Sequence, residues 1–161
     1  MAKELTIRIN ETATALRHDA PMSAAPHPAN DTLTKEARWP RVLVVDDIED
    51  NREILRRRLM AARFEVETAC DGMQCLDMLA KGAFDIVLLD HMMPVLDGME
   101  TLAVIRSKWS KTDLPVIMVT ARDDDPMIVK AFDMGANDFV AKPFSFPVLV
   151  ARTRAQIEGK F

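Results

Sequence analysis

Four apolar runs punctuate this chain, and each ends in residues that carry chemistry. Val42-Leu43-Val44-Val45 runs into Asp46-Asp47, Ile86-Val87-Leu88-Leu89 into Asp90, Val116-Ile117-Met118-Val119 into Thr120-Ala121, and Phe139-Val140-Ala141 into Lys142-Pro143. Continuous β-branched and aliphatic runs mark strands buried on both faces, the condition of a parallel sheet covered by helices. In open α/β sheets function gathers outside the carboxyl ends of the strands, so three acids, a hydroxyl and an amine are expected on one edge.

The intervening segments have helical spacing. The expected order, with approximate bounds, is strand about 42–46, helix 50–62, strand 64–69, helix 72–81, strand 85–90, helix 98–108, strand 115–120, helix 126–134, strand 138–141 and helix 146–158. In the first helix Ile54, Leu55, Leu59 and Met60 are expected to face the sheet, leaving Arg52, Glu53, Arg56 and Arg57 to solvent. Phe64-Glu65-Val66-Glu67-Thr68 alternates, as an edge strand exposed on one side should. Ser145, ahead of Phe146-Pro147, is placed to cap the last helix. Residues 1–40 scatter Pro21, Pro26, Pro28 and Pro40 among small polar residues and read as a flexible extension, within which Leu5-Thr6-Ile7-Arg8-Ile9 alternates like a strand. Residues 41–161 then form the folded domain.

Composition excludes several classes. With 161 residues, 48% of them apolar, the chain can build one core and hardly a second. A net charge of −4 with scattered basic residues gives no footprint for direct nucleic-acid binding. No run approaches about 20 apolar residues and the amino terminus lacks a signal-peptide core, so no membrane association is expected. Cys70 and Cys75 lack zinc or redox-motif spacing, which points to a reducing, cytoplasmic compartment.

The chemistry follows from the strand ends. A carboxylate pair beside a third carboxylate makes a hard, oxygen-rich site suited to Mg2+, which takes one or two protein carboxylates and leaves positions for phosphoryl oxygens. Phosphoryl transfer needs a nucleophile in line, a cation for equatorial charge and fixed donors. Asp90 can be the nucleophile, Asp46 and Asp47 the metal holders, Lys142 the second cation and Thr120 the hydroxyl donor, giving an aspartyl phosphate. Singly, each has a plainer reading: an acid after a strand commonly caps a helix, a strand-end threonine packs, and a lysine is a solvated charge. Their joint order along the chain carries the functional reading.

Those residues, with Leu88-Leu89-Asp90-His91-Met92-Met93-Pro94, Asp97-Gly98, Val119-Thr120-Ala121 and Gly135-Ala136-Asn137-Asp138-Phe139-Val140-Ala141-Lys142-Pro143-Phe144, resemble the receiver domain of bacterial two-component response regulators. The resemblance implies a doubly wound, flavodoxin-like α/β fold with five parallel strands in the order 2-1-3-4-5. It implies that Asp90 accepts a phosphoryl group from a sensor histidine kinase or phosphotransfer protein. Mg2+ would then be bound directly by Asp47, Asp90 and the Met92 backbone carbonyl, with Asp46 acting through water. It also implies a regulatory domain rather than an enzyme in its own right. Phosphorylation would give Thr120 and Lys142 a partner they otherwise lack, draw Thr120 inward with Phe139 following, and repack the surface of the fourth helix, fifth strand and fifth helix for a downstream protein or output domain.

Several positions depart from the pattern. His91 follows the acceptor where apolar residues are common, and reads as a satisfied core histidine or, at the site mouth, as a source of pH sensitivity. Met92 and Arg122 resemble positions that tune phosphoryl lifetime, and an apolar Met92 offers water no base, favouring a longer lifetime. Asp138 and Arg152 match a charged pair of receiver dimers, but Ile128 and Asn137 do not match their counterparts, which favours a monomer or weak dimer. Haloacid dehalogenase phosphatases share the chemistry, yet their nucleophile has an acid two residues later, where Met92 stands. Asp47-Ile48-Glu49-Asp50-Asn51-Arg52 resembles receivers that precede nucleotide cyclase, diguanylate cyclase or phosphatase modules and those of hybrid kinases, so a fragment of such a longer protein is the alternative to a stand-alone switch. Asn51, Arg52, Leu55 and the loop after Lys142 are where kinase specificity is expected.

Overall fold

The structure, a computed structural model, describes residues 38–121 and 123–158. The expected extension up to residue 37, with its alternating 5–9 segment, the expected tuning residue Arg122 and the last three residues lie outside the described residues.

Strands and helices alternate along the chain as β1 (Arg41–Val45), α1 (Glu49–Ala61), β2 (Glu65–Ala69), α2 (Gly72–Lys81), β3 (Ile86–Leu89), α3 (Gly98–Lys108), β4 (Val116–Thr120), α4 (Asp125–Asp133), β5 (Asp138–Ala141) and α5 (Phe146–Ile157). All strand pairs are parallel and the order is β2-β1-β3-β4-β5, as the resemblance implied. The chain therefore leaves β1 for one edge and returns across it to β3. That reversal opens a crevice outside the carboxyl ends of β1 and β3, where Val45 pairs with Leu89 and brings the following Asp46 and Asp90 side by side.

Alternation along the buried strands divides the core between the two faces of the sheet. Leu43, Val45, Val87, Leu89, Val116 and Met118 pack with Leu79, Leu102 and Ile105 of α2 and α3, whereas Val42, Val44, Ile86, Leu88, Ile117 and Val119 pack with Leu55, Leu59, Leu149 and Ile157 of α1 and α5. Each such aliphatic side chain contributes about 1.5–3 kcal/mol by leaving water. Cys75 is buried in the first of these layers, and burial pushes its thiol up to about 12; Cys70 is free and exposed. Among the described residues no helix is long and apolar enough to cross a membrane.

Local details correct three sequence expectations. Only Leu55 and Leu59 of the proposed α1 stripe are buried, while Ile54 and Met60 are 50% and 42% exposed, because the i, i+4 pair alone points straight at the sheet. Arg52 does not sit free in solvent but donates from Nη1 to the Asp46 carbonyl at 2.7 Å. Ser145 occupies the N-cap of α5 without a side-chain capping bond; the helix start relies on its proline in the first turn. At the amino edge of the sheet, Asp85 accepts both arms of the Arg38 guanidinium at 2.8 and 2.9 Å and the Arg41 backbone N–H at 2.7 Å. Arg41 reaches on to Glu67.

Candidate functional site

The four strand ends meet as the runs require. Asp90 follows β3, its N–H donating to the Val45 carbonyl at 2.9 Å, and Asp46 follows β1, its N–H donating to the Ala69 carbonyl at 3.2 Å. Thr120 ends β4 in register with Ala141 of β5, which places Lys142 next in line. Asp46, Asp47 and Asp90 each present a carboxylate oxygen, all within 4.8 Å of one another.

The three acids are not equivalent. Asp46 is 2% exposed and its carboxylate is held on several sides: Oδ1 accepts the Ile48 N–H at 2.9 Å, Oδ2 accepts Lys142 Nζ at 2.6 Å, and Asn51 Nδ2 lies 3.4 and 3.3 Å from the two oxygens. Asp47 is exposed and makes no hydrogen bond or ion pair to another described residue. Asp90 is 6% exposed. Burial holds its carboxyl above the usual carboxylate range, opposed by the charge of Lys142, reinforced by that of Asp46, and eased by hydrogen bonds from the Thr120 side chain and the Met92 N–H. Lys142 Nζ stands 3.6 Å from Asp90 Oδ2 but 2.6 Å from Asp46, so the single amine leans towards Asp46. An all-oxygen donor set with one open carboxylate suits a hard divalent cation.

These contacts overturn the expectation that Thr120 and Lys142 lack partners in the unmodified protein. Thr120 is fully buried and bonded to Asp90, and Lys142 is paired with Asp46. Buried carboxylates this close together must recruit the donors within reach, so the hydroxyl and amine are already engaged. Phe139 is partly buried against the layer formed with α2 and α3.

The loop after Asp90 is tightly built. The His91 carbonyl accepts the N–H groups of Met93 at 3.1 Å and Gly98 at 2.9 Å, and α3 opens with a capping box between Asp97 and Glu100. A Cβ at Gly98 would lie 2.1 Å from the Asp90 carbonyl oxygen, so only glycine lets this helix approach the acceptor. His91 is 6% exposed, as the core reading expected, but it is not satisfied: among the described residues Nδ1 has no hydrogen-bond partner, and Nε2 lies 3.9 Å from Asp97 Oδ2. Met92 is 58% exposed at the mouth, with its N–H turned to Asp90.

Asp46, Asp47, Asp90, Thr120, Lys142 and the backbone of Met92 thus share one edge, while Phe139 lies in the layer beneath. Sequence reasoning missed the contacts that Asn51 and Arg52 make to Asp46, although their place in the first turn after it was a usable signal. Asp138 and Arg152 are joined within the chain by two 2.9 Å contacts, and Asn137 is spent internally, accepting from Arg106 and from the Val116 N–H.

Comparison with known proteins agrees with this geometry. The family model of the response regulator receiver domain matches residues 42–154. Response regulator MprA of Mycobacterium sp. (strain KMS) is 46% identical over 115 residues, which are 71% of this chain and 49% of that protein, so the chain spans about half the length of the curated relatives it matches. Among solved structures, the response regulator protein TrrA from Thermotoga maritima in complex with Mg(2+)-BeF is 32% identical with a TM-score of 0.66, over 73% of this chain and 99% of that one. A protein described as a two-component system response regulator/GGDEF domain protein is 30% identical with a TM-score of 0.72, over 75% of this chain and 50% of that one. By strand order, by the residues at the carboxyl edge and by these matches, the chain belongs to the response regulator receiver domain family.

Proposed function

We propose that the protein is a phosphorylation-dependent switch in which Asp90 accepts a phosphoryl group from a sensor histidine kinase or phosphotransfer protein. The observation that carries this reading is a buried, partly frustrated carboxylate with an amine at 3.6 Å and two further acids close by. An Asp90 oxygen forms the new bond to phosphorus as the bond to the donor's leaving group breaks. Asp47, Asp90 and the Met92 carbonyl would hold Mg2+, with Asp46 acting through water; when bound, the ion supplies positive charge against the crowded oxygens.

Because Thr120 and Lys142 already have partners, phosphorylation redirects donors instead of supplying missing ones. Lys142 leaves Asp46 for the phosphoryl oxygens, Thr120 follows the charge, and Phe139 repacks beside them. The readout is the α4-β5-α5 surface, where Val129 and Phe132 are exposed on α4. With Asp138 and Arg152 closed within one chain, a monomer or weak dimer is favoured. The phosphodonor docks on a shallow groove of about 270 Å³ lined by Asn51, Ile54, Leu55, Pro143, Phe144 and Phe146, and exposed Ile54 belongs to it. Met92 beside the acceptor lengthens the phosphoryl lifetime by offering water no base. The domain, from about residue 41 onward, is cytoplasmic and regulatory, acting on a downstream protein or an output module of a longer chain; a diguanylate cyclase output is the second reading, favoured by the GGDEF-containing neighbour.

The test is phosphate incorporation from a small acyl-phosphate donor with Mg2+. Wild type is expected to label and Asp90→Asn to be silent; wild-type labelling of Asp90→Asn would sink the proposal.

A further inference from the structure

We propose that Asn51 is a positioning residue of this site, pinning the Asp46 carboxylate so that Lys142 is held off Asp90 while the metal position stays open. The inference rests on the switch reading above and adds a residue to it. Asn51 is in the first turn of α1, and its amide nitrogen spans both Asp46 oxygens at 3.4 and 3.3 Å. The terminal torsion of an aspartate is broad, so a carboxylate anchored at one oxygen can swing. Ile48 N–H fixes Oδ1 and Asn51 braces both oxygens, leaving Oδ2 directed at Lys142 Nζ at 2.6 Å. Arg52 anchors the same residue through its carbonyl at 2.7 Å. Asp46 is thereby a fixed post for the amine.

Two consequences run in one direction when the brace is removed. A swinging Asp46 would hold the ion less well through water, and a released Lys142 would be free to cross to Asp90, 3.6 Å away, where its charge would oppose a divalent cation. Both weaken Mg2+ binding without any loss of folding, because leucine at position 51 is a good helix former of similar size.

The experiment titrates the full chain with MgCl2 alone and follows the metal-dependent rise in melting temperature for wild type, Asn51→Leu and Asn51→Gln. Asn51→Leu is expected to raise the half-saturating Mg2+ concentration about 10-fold, with an unchanged or higher melting temperature in the absence of metal. Asn51→Gln, which keeps the amide donor, is expected to recover most of that loss, which a purely structural role would not produce. Half-saturation of Asn51→Leu equal to wild type, or of Asn51→Gln as weak as that of Asn51→Leu, would overturn the assignment and leave the switch reading standing. A wild type with no Mg2+-dependent shift would bring down both.

Discussion

Asp85 and Asp90 flank β3, one before it and one after it, and both are almost fully buried, at 8% and 6% exposure. Asp85 is held by donors: both arms of Arg38 and the N–H of Arg41, at 2.7 to 2.9 Å. Asp90 accepts from the Thr120 hydroxyl and the Met92 N–H, but its one cationic neighbour among the described residues stands closer to Asp46 and two carboxylates of its own sign lie beside it. A buried charge with a closed set of opposite partners fastens the fold. One crowded by like charges stays strained and favours whatever brings positive charge, or exchanges the acid for a group that the same donors bind better. The amino edge of the sheet is therefore a clamp and the carboxyl edge a receptacle.

The largest effect expected from breaking this contrast is at Gly98. Gly98→Ala forces a Cβ against the Asp90 carbonyl, where the gap is 2.1 Å, and is expected to cost about 3 kcal/mol and to depress labelling of Asp90, because the clash displaces the acceptor itself. Denaturant unfolding and phosphate incorporation measured together check this; a variant that unfolds like wild type would refute the close approach. Asp85→Ala should cost somewhat less, about 2 kcal/mol, since Arg38 can rehydrate while the Arg41 N–H loses its acceptor. Labelling of the folded variant should stay at the wild-type level, and a loss there would mean that the two edges are coupled.

Asp90→Asn is expected to act the other way and stabilise the protein, by a few degrees in melting temperature. Burial raises the Asp90 pKa in the folded state, so the native protein binds more protons than the unfolded chain between the two values, and stability falls as pH rises through that window. Asparagine removes the burden carried by the charged form. The gain should therefore be full at about pH 7 and shrink as pH falls towards about 4. A gain that does not vary with pH would place the strain elsewhere than in the Asp90 charge.

The strand runs made the site legible because a buried parallel strand leaves so few sequence options: the runs put Asp46 and Asp90 at one edge, and the strand order implied by the receiver resemblance set Val42–Val45 beside Ile86–Leu89, as the structure has them. Distances were not legible. Whether Lys142 rests on Asp46 or on Asp90 turns on an ångström, and the expectation that it was unpartnered failed there. Helical periodicity pointed α1 at the sheet but could not say that Ile54 and Met60 fall outside the buried strip, since that depends on how α1 sits against the sheet and its neighbours. The Arg38–Asp85 pair joins residues 47 apart with no local pattern to mark it. His91 read as a satisfied core residue because burial usually brings a partner, and Nδ1 has none.

The most direct test of the account is to map the modified residue. After incubation of the full chain with acetyl phosphate and Mg2+, peptide mass spectrometry with reductive trapping of acyl phosphates should place one phosphoryl group on Asp90, absent when the metal is chelated. Trapping on Asp46, Asp47 or Asp85, or labelling indifferent to chelation, would contradict it.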